Sequence, residues 1–378
     1  MIRPAQAVED CDRWLPLARA GVRALSPYVP GKPIEELERQ YGVRHIIKLA
    51  SNENPLGPGK RALQAARAAL DDIARYPDGN GFALKQRLAG HHRLTPAHIT
   101  LGNGSNDILE LVTRAFVGPE HEVIFSDHAF AVYPIVTQAV GARPVTTPAR
   151  HWGHDLDAMR AAITPRTRLV FIANPNNPTG TWLRRSELEP FLENLPPTVL
   201  AVLDEAYFEY VREPDYPDGA SWIGRFPGLL VTRTFSKVHG LAGLRVGYGL
   251  SSPAIADILN RVRQPFNVNS VALAAAVAAL DDAEHLERSL RLNSDGMRQL
   301  LHGLESLGLS FIPSAGNFVC VDLGRPAAPA YEALLREGVI VRPVANYGMP
   351  HHLRVTVGLP EENERFLKAL EKVLGTKD

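Results

Sequence analysis

Short apolar runs recur through the middle of the chain, and each breaks off into a polar or glycine-bearing turn: ITLGNGS, EVIFSD, RLVFIANPNN, TVLAVLDEAY, LLVTRTFSK and RVGYGLSS. Within each run the apolar residues are continuous rather than alternating. A strand with one wet face alternates, whereas a strand covered on both faces does not. The runs therefore predict a parallel or mostly parallel sheet. Helix-period stretches lie between many of them, such as NDILELVTRAF at 106–116. That alternation predicts an α/β fold with helices on both faces of the sheet.

At 378 residues the chain exceeds one ordinary core, and two domains are expected. The pattern changes after about residue 275. A long helical stretch over 281–308 leads to strand-like NFVCVDL, a helix at 329–337, VIVRPV, HLRVTVGL and a final helix, PEENERFLKALEKVLG. This reads as a smaller α+β domain. The expected division is a large domain at 48–275 and a small one made of 1–47 and 276–378, with the proline-punctuated N-terminal segment packed onto the C-terminal part.

Basic and acidic residues balance at 41 each, so no net field favours nucleic acid or an anionic membrane. Any bound anion needs a local pocket. Cys11 and Cys320 are too few for a disulfide framework, which fits a reducing compartment. The opening MIRPAQAVEDCDRW has acids and no apolar core, so no signal peptide is expected, and VALAAAVAAL at 271–280 is shorter than the roughly 18 residues a span requires. The cytoplasm is the expected location. Paired histidines (His91–His92, His351–His352, and His151 with His154) lack a cysteine or carboxylate at ligand spacing, and no metal site is expected.

In open α/β sheets the ligand crevice lies outside the carboxyl ends of the strands. The segments following the runs are GNGSND, SDHAF, NPNNPTG, DEAY and TFSK. In GNGSND, Gly102 and Gly104 permit a tight turn and Ser105 and Asn106 open a helix whose free N–H groups favour an anion. The plain alternative is a βα turn with a serine cap. Asp107 stands where a dinucleotide fingerprint needs its third glycine, which weakens a nicotinamide reading. NPNNPTG presents Asn174, Asn176 and Asn177 on a stiff loop, or is simply a proline-rich turn. Asp204 ends the most apolar run and asks for a cation, either a protonated heteroaromatic nitrogen or an arginine or lysine elsewhere in the chain. Tyr207 follows three residues on.

Lys237 lies among hydroxyls and small apolar residues in TRTFSKVHGLAGLRVGY. A solvated surface position is the ordinary fate of a lysine. In an apolar crevice, desolvation depresses its pKa, and neutral lysine attacks carbonyls to form Schiff bases. Thr234, Ser236 and Arg245 can hold a phosphate. Taken together, a phosphate cup, a buried acid, an amide loop, a phenol and an amine suit pyridoxal 5'-phosphate.

The order GNGSND, NPNNPTG, DEAY, SK…GLAGLRVG resembles fold-type I pyridoxal-phosphate aminotransferases over nearly the whole chain. KLASNENPLGP, RYPDGNGFALK, GVIVRP and HLRVTVG are most similar to the histidinol-phosphate aminotransferase branch of that family. The resemblance implies the following roles. Lys237 binds the cofactor covalently and shuttles the proton, and Asp204 pairs with the ring nitrogen. Tyr207 and Asn177 bond its phenolic oxygen. Gly104, Ser105, Asn106, Thr234, Ser236 and Arg245 hold the phosphate. Tyr76 reaches the cofactor of a second subunit in a homodimer. Arg354 binds the carboxylate of glutamate or 2-oxoglutarate, and Tyr28, Asn52 and Arg342 line the substrate pocket. Phe130 falls where many relatives place a ring-stacking tyrosine. It keeps the π-face and loses the hydroxyl.

The implied reaction is amino transfer between histidinol phosphate and 2-oxoglutarate in histidine biosynthesis. Three rivals stay open: an aromatic or broad-specificity aminotransferase, a decarboxylase of a phosphorylated amino acid, and a non-catalytic cofactor-sensing module. The last is disfavoured by the lack of a basic DNA-reading segment.

Overall fold

The computed structural model describes residues 13–28 and 30–375. Seven strands form the larger sheet: β1 Ile99–Gly102, β2 Glu122–Ser126, β3 Arg143–Thr147, β4 Thr167–Ala173, β5 Leu200–Asp204, β6 Leu229–Thr234 and β7 Gly247–Ser251. Their order across the sheet is β1-β7-β6-β5-β4-β2-β3. Pairing is parallel from β6 through β5, β4 and β2 to β3, and β7 is antiparallel to both its neighbours. The mostly parallel sheet expected from the apolar runs is present.

β4 shows why such a run leaves no room for polar residues. Val170 and Ile172 enter one core with Leu84, Leu188, Phe191 and Trp222, while Leu169 and Phe171 enter another with Leu109, Val112 and Tyr133. Successive residues of a strand point to opposite faces, and both faces are covered. Helix α1 (Ser105–Phe116) follows β1, and α2 (Val132–Ala139) follows β2. The alanine-rich stretch forms the helix Ser270–Leu280, which buries Ala272, Ala275, Ala276 and Ala279 and lies against the helix Lys60–Ala69. Among the described residues no helix is long and apolar enough to cross a membrane.

The second layer is an antiparallel sheet of β8 Ser310–Ile312, β9 Phe318–Asp322, β10 Arg342–Pro343 and β11 His352–Thr356, in the order β8-β9-β11-β10. Helix α3 (Ala283–Ser306) and the helices Ala327–Arg336 and Pro360–Gly375 share its core, with Leu300, Leu304, Val321, Leu334, Val355 and Phe366 at the centre. Cys320 is buried in β9, and Cys11 lies outside the described residues.

The N-terminal segment touches both layers. Leu37, in the helix Ile34–Tyr41, packs with Leu335 and Ile340 of the smaller layer. Before it, Arg19 Nη2 donates to Val140 O at 3.1 Å, and Gly21 lies so close to α2 that a Cβ would meet Gln138 O at 1.9 Å. The strand Ile47–Lys48 pairs with Val339–Ile340, and Leu49 exchanges backbone bonds with Ile340 and Thr356. Residues 50–54 then run into the crevice between the layers, opposite the carboxyl ends of the large-sheet strands.

Candidate active site

The turn after β1 brings the N-terminus of α1 to this crevice. Gly104 caps the helix at φ +83°, and no side chain caps it. Ser105 is thus the first helical residue rather than a serine cap. Asp107 closes the turn instead, its Oδ2 accepting from Asn103 N at 2.8 Å and from Asn267 Nδ2 at 2.7 Å. A Cβ added at Gly104 would lie 2.3 Å from Arg245 Nη2, and one at Gly247 would lie 2.5 Å from Ser105 N. Two glycines therefore keep a hollow between the helix end and the Arg245 guanidinium. Arg245 Nη1 donates to Ser236 Oγ at 3.2 Å, and Ser236 N donates to Thr234 Oγ1 at 3.1 Å. Free helix N–H groups, hydroxyls and a guanidinium form an anion cradle.

Lys237 reaches the floor of the same cavity, which has a volume of about 260 Å³. Its Nζ donates to Ser51 O at 3.0 Å. Burial pushes its pKa down from 10.5 to about 7; Arg354 and Arg245 push the same way and Glu53 opposes them. A large share of the amine is therefore neutral near neutral pH.

Asp204 ends β5 with 5 % of its surface exposed. Tyr133 OH donates to its Oδ2 at 2.9 Å, and Thr232 Oγ1 donates to its Oδ1 at 3.1 Å. Burial raises its pKa, and bonds from Tyr133, Thr232 and the Ala206 amide oppose that rise. These hydrogen-bond donors are all neutral. The sequence left a protein arginine or lysine open as its partner: among the described residues Arg233, beside Thr232 on β6, pairs instead with Glu205 and Asp218, while the charge of Lys237 lowers the Asp204 pKa without an ion pair between them.

Tyr207 OH accepts from Asn52 Nδ2 at 2.8 Å. Asn52 adopts φ +55° and is held by Thr356, whose Oγ1 accepts from Asn52 N at 3.0 Å and donates to Asn52 Oδ1 at 3.1 Å. Burial pushes the Tyr207 phenol up to about 12, with Arg354 opposing, so it keeps a proton to donate. Of the three asparagines after β4, Asn174 and Asn176 are spent on the loop, bonding Leu183 and the His128 carbonyl. Asn177 reaches the cavity, and its Oδ1 accepts from Arg354 Nη1. Arg354 Nη2 donates to Ala50 O at 2.7 Å, while its buried Nε has no partner among the described residues.

Asn106 and Phe130 line the same cavity, and Tyr28 and Arg342 complete its wall, with the Arg342 guanidinium carbon 5.6 Å from the centre of the Tyr28 ring. Tyr76 stands apart. It is 82 % exposed and stacks on Phe266 at 4.7 Å, outside the cavity of its own chain. Sequence reasoning missed Tyr133, Thr232 and the Ser51 carbonyl. Tyr133 sits between Val132 and Pro134 in a mostly apolar helix that gives no sign of a carboxylate partner, and a backbone carbonyl leaves no sequence signal.

These residues fit pyridoxal 5'-phosphate. A phosphate suits the cradle that a Cβ would fill, an aldehyde suits a neutral amine, and a protonated ring nitrogen suits a buried acid whose hydrogen-bond partners are all neutral.

The family model for aminotransferase class I and II matches residues 44–370. Histidinol-phosphate aminotransferase 2 of Pseudomonas fluorescens is 64% identical over 363 residues, covering 96% of this chain and 98% of that protein. Histidinol-phosphate aminotransferase 1 of Nitrosococcus oceani is 59% identical, covering 95% and 97%. The crystal structure of histidinol-phosphate aminotransferase from Sinorhizobium meliloti in complex with pyridoxal-5'-phosphate superposes with a TM-score of 0.87 at 32% identity, covering 94% of this chain and 96% of that one. With a family match over most of its length and relatives this similar, the chain belongs to the class I and II aminotransferases.

Proposed function

We propose that the chain is a pyridoxal-phosphate-dependent aminotransferase that moves an amino group between histidinol phosphate and 2-oxoglutarate or glutamate, a step of histidine biosynthesis. The carrying observation is the convergence of Lys237, depressed to about 7, and cation-seeking Asp204 on one cavity that also holds the partly unpaired Arg354. The choice of histidinol phosphate rests on the relatives that carry that name at 59–64% identity.

When bound, the cofactor supplies an electrophilic carbon for the donor nitrogen and a ring that takes up an electron pair. The chain's own residues do the rest. Lys237 would hold the cofactor at its aldehyde carbon and would accept the proton from the substrate Cα and return it. Asp204, as an anion, would hold the ring nitrogen. Tyr207 and the amide nitrogen of Asn177 donate to the phenolic oxygen. Ser105, Asn106, Thr234, Ser236 and Arg245 hold the phosphate, with Gly104 keeping the space open. Phe130, which lines the cavity, would lie against the ring. Arg354 forks onto the substrate anion, and Tyr28, Asn52 and Arg342 shape the pocket around it.

The reading includes a homodimer in which Tyr76 completes the partner's phosphate site. The exposure of Leu70, Ile73, Tyr76 and Phe82 close together in the chain, with Tyr76 stacked on exposed Phe266, supports it, because exposed apolar patches mark interaction sites. We also infer a large domain at 48–275, a small one from 1–47 and 276–378 whose segment around Arg19 and Gly21 reaches across to α2, and a cytoplasmic location. Two separate sheets with separate cores support that division; residues 1–12 lie outside the described residues.

The test is a visible spectrum of the cofactor-loaded protein during sequential additions. Glutamate should convert the resting absorbance to that of the aminated cofactor, and the oxo product of histidinol phosphate should restore it. Faster conversion by phenylalanine than by histidinol phosphate would transfer the assignment to an aromatic aminotransferase. Turnover of a phosphorylated amino acid with loss of CO2 and no need for 2-oxoglutarate would make it a decarboxylase.

A further inference from the structure

Asp204 carries an electrostatic conflict. It must be ionised to hold a protonated ring nitrogen, yet burial favours its neutral form. Both of its oxygens are engaged by hydroxyls that only donate there: Tyr133 OH to Oδ2 at 2.9 Å and Thr232 Oγ1 to Oδ1 at 3.1 Å. Tyr133 and Thr232 are both fully buried. The Tyr133 ring stacks on Phe171 at 4.5 Å with planes 2° apart and meets Phe130 edge-on at 5.8 Å and 87°. Its hydroxyl is therefore a polar atom set in an apolar cluster. Such a group is costly without a partner, and Asp204 is that partner. Thr232 lies directly opposite Asp204 in the β5–β6 register.

We propose that Tyr133 and Thr232 are positioning residues: they fix Asp204 as an anionic acceptor aimed into the cavity, and Tyr133 also sets the ring of Phe130 against it. The inference rests on the cofactor reading above. A phenol or alcohol that donates to a carboxylate stabilises its charged form. Removing either hydroxyl makes ionised Asp204 less favourable, and the penalty appears only when a bound ring nitrogen demands that charge. Neither residue needs to touch substrate or cofactor.

The experiment compares two ligands on full-length apoprotein: pyridoxal 5'-phosphate, and its analogue with a C–H group in place of the ring nitrogen. Dissociation constants are measured for wild type, Tyr133→Phe and Thr232→Val. Both substitutions keep shape and remove one donor. Each should weaken the natural cofactor about tenfold, the scale of one hydrogen bond to a charged group, while the analogue changes less than about twofold. The Tyr133→Phe effect on the natural cofactor should vanish in an Asp204→Asn background. Equal weakening of both ligands, or of neither, would overturn the inference, because a residue that only packs cannot tell the ligands apart. Should Tyr133→Phe fail to fold, Thr232→Val decides the matter by the same comparison. Failure of wild type to take up pyridoxal 5'-phosphate would remove the functional reading and this inference together; loss of ligand discrimination alone removes only the inference.

Discussion

Arg233 and Glu205 form a buried two-pronged ion pair: Nε and Nη2 both donate to Glu205 Oε2, at 2.9 and 2.7 Å. Each is the chain neighbour of a residue in another pair, Thr232 with Asp204, made between the same two strands. Successive residues of a strand face opposite ways, so the ion pair and the site acid secure the ends of β5 and β6 from opposite faces. Arg233 Nη2 also donates to Asp218 at 2.6 Å, and its guanidinium carbon lies 3.4 Å from the centre of the Phe208 ring.

Breaking that pair should be expensive. Arg233→Met leaves Glu205 buried without its cation, and the expected loss of folding stability is about 3–5 kcal/mol. Urea or thermal unfolding of the apoprotein checks it. A change below about 1 kcal/mol would mean that Glu205 finds another partner or takes up a proton at little cost.

Lys237 makes a signed prediction about pH. Its folded pKa of about 7 lies below the ordinary 10.5. Between those values the unfolded chain binds more protons than the folded one, so apoprotein stability from this group rises with pH across that window and is lowest below it. The stability gap between Lys237→Met and wild type should therefore shrink as pH rises from about 7 toward 10. Lys237→Ala should also abolish borohydride-fixable absorbance and lower turnover by several decades. Near-normal turnover would remove this lysine from the mechanism.

Arg354 is held by Ala50 and Asn177 with Nε left over. A guanidinium fork binds carboxylate and phosphate alike. Arg354→Lys should therefore raise the apparent KM for glutamate and for histidinol phosphate together, by about 10-fold or more. A rise for one substrate alone would show that the two anions bind different groups, with Arg342 the next candidate.

Tyr76 predicts complementation between subunits. Tyr76→Ala and Lys237→Ala should each be impaired alone. Mixed after unfolding and refolding, they should form heterodimers with one intact site, with recovery of about a quarter of wild-type activity expected on statistical assembly of the proposed dimer. No recovery, with heterodimers present by mass, would place Tyr76 outside the partner's site.

Much of the site was readable because its residues stand at strand ends. The apolar run TVLAVL stops at Asp204, and LLVTRTF stops just before Lys237. A run too apolar to be wet must lie inside a sheet, so the polar segment that follows it lies at the sheet's edge; β6 departs from the plain pattern, with Thr232 and Arg233 polar inside it and matched by Asp204 and Glu205. Gly104 was readable only as one of two glycines that permit a tight turn; the structure adds that a residue without Cβ alone fits there, beside Arg245 at φ +83°. Asn52 was assigned to the substrate pocket by resemblance, while its hydrogen bond to Tyr207 was not visible, because the two are 155 positions apart.

The sequence alone determined the α/β class, the order of the strands along the chain and which polar residues gather at one sheet edge, because alternation, apolar runs and turn residues act over a few neighbours. Only the tertiary structure decided which of those residues meet: Tyr133 with Asp204 across 71 positions, Arg354 with Asn177 across 177, and Arg233 with Glu205 rather than with Asp204. Hydrogen bonds and ion pairs act over a few ångströms. Distant parts of the chain come within that range only when both faces of the sheet and the second layer have packed.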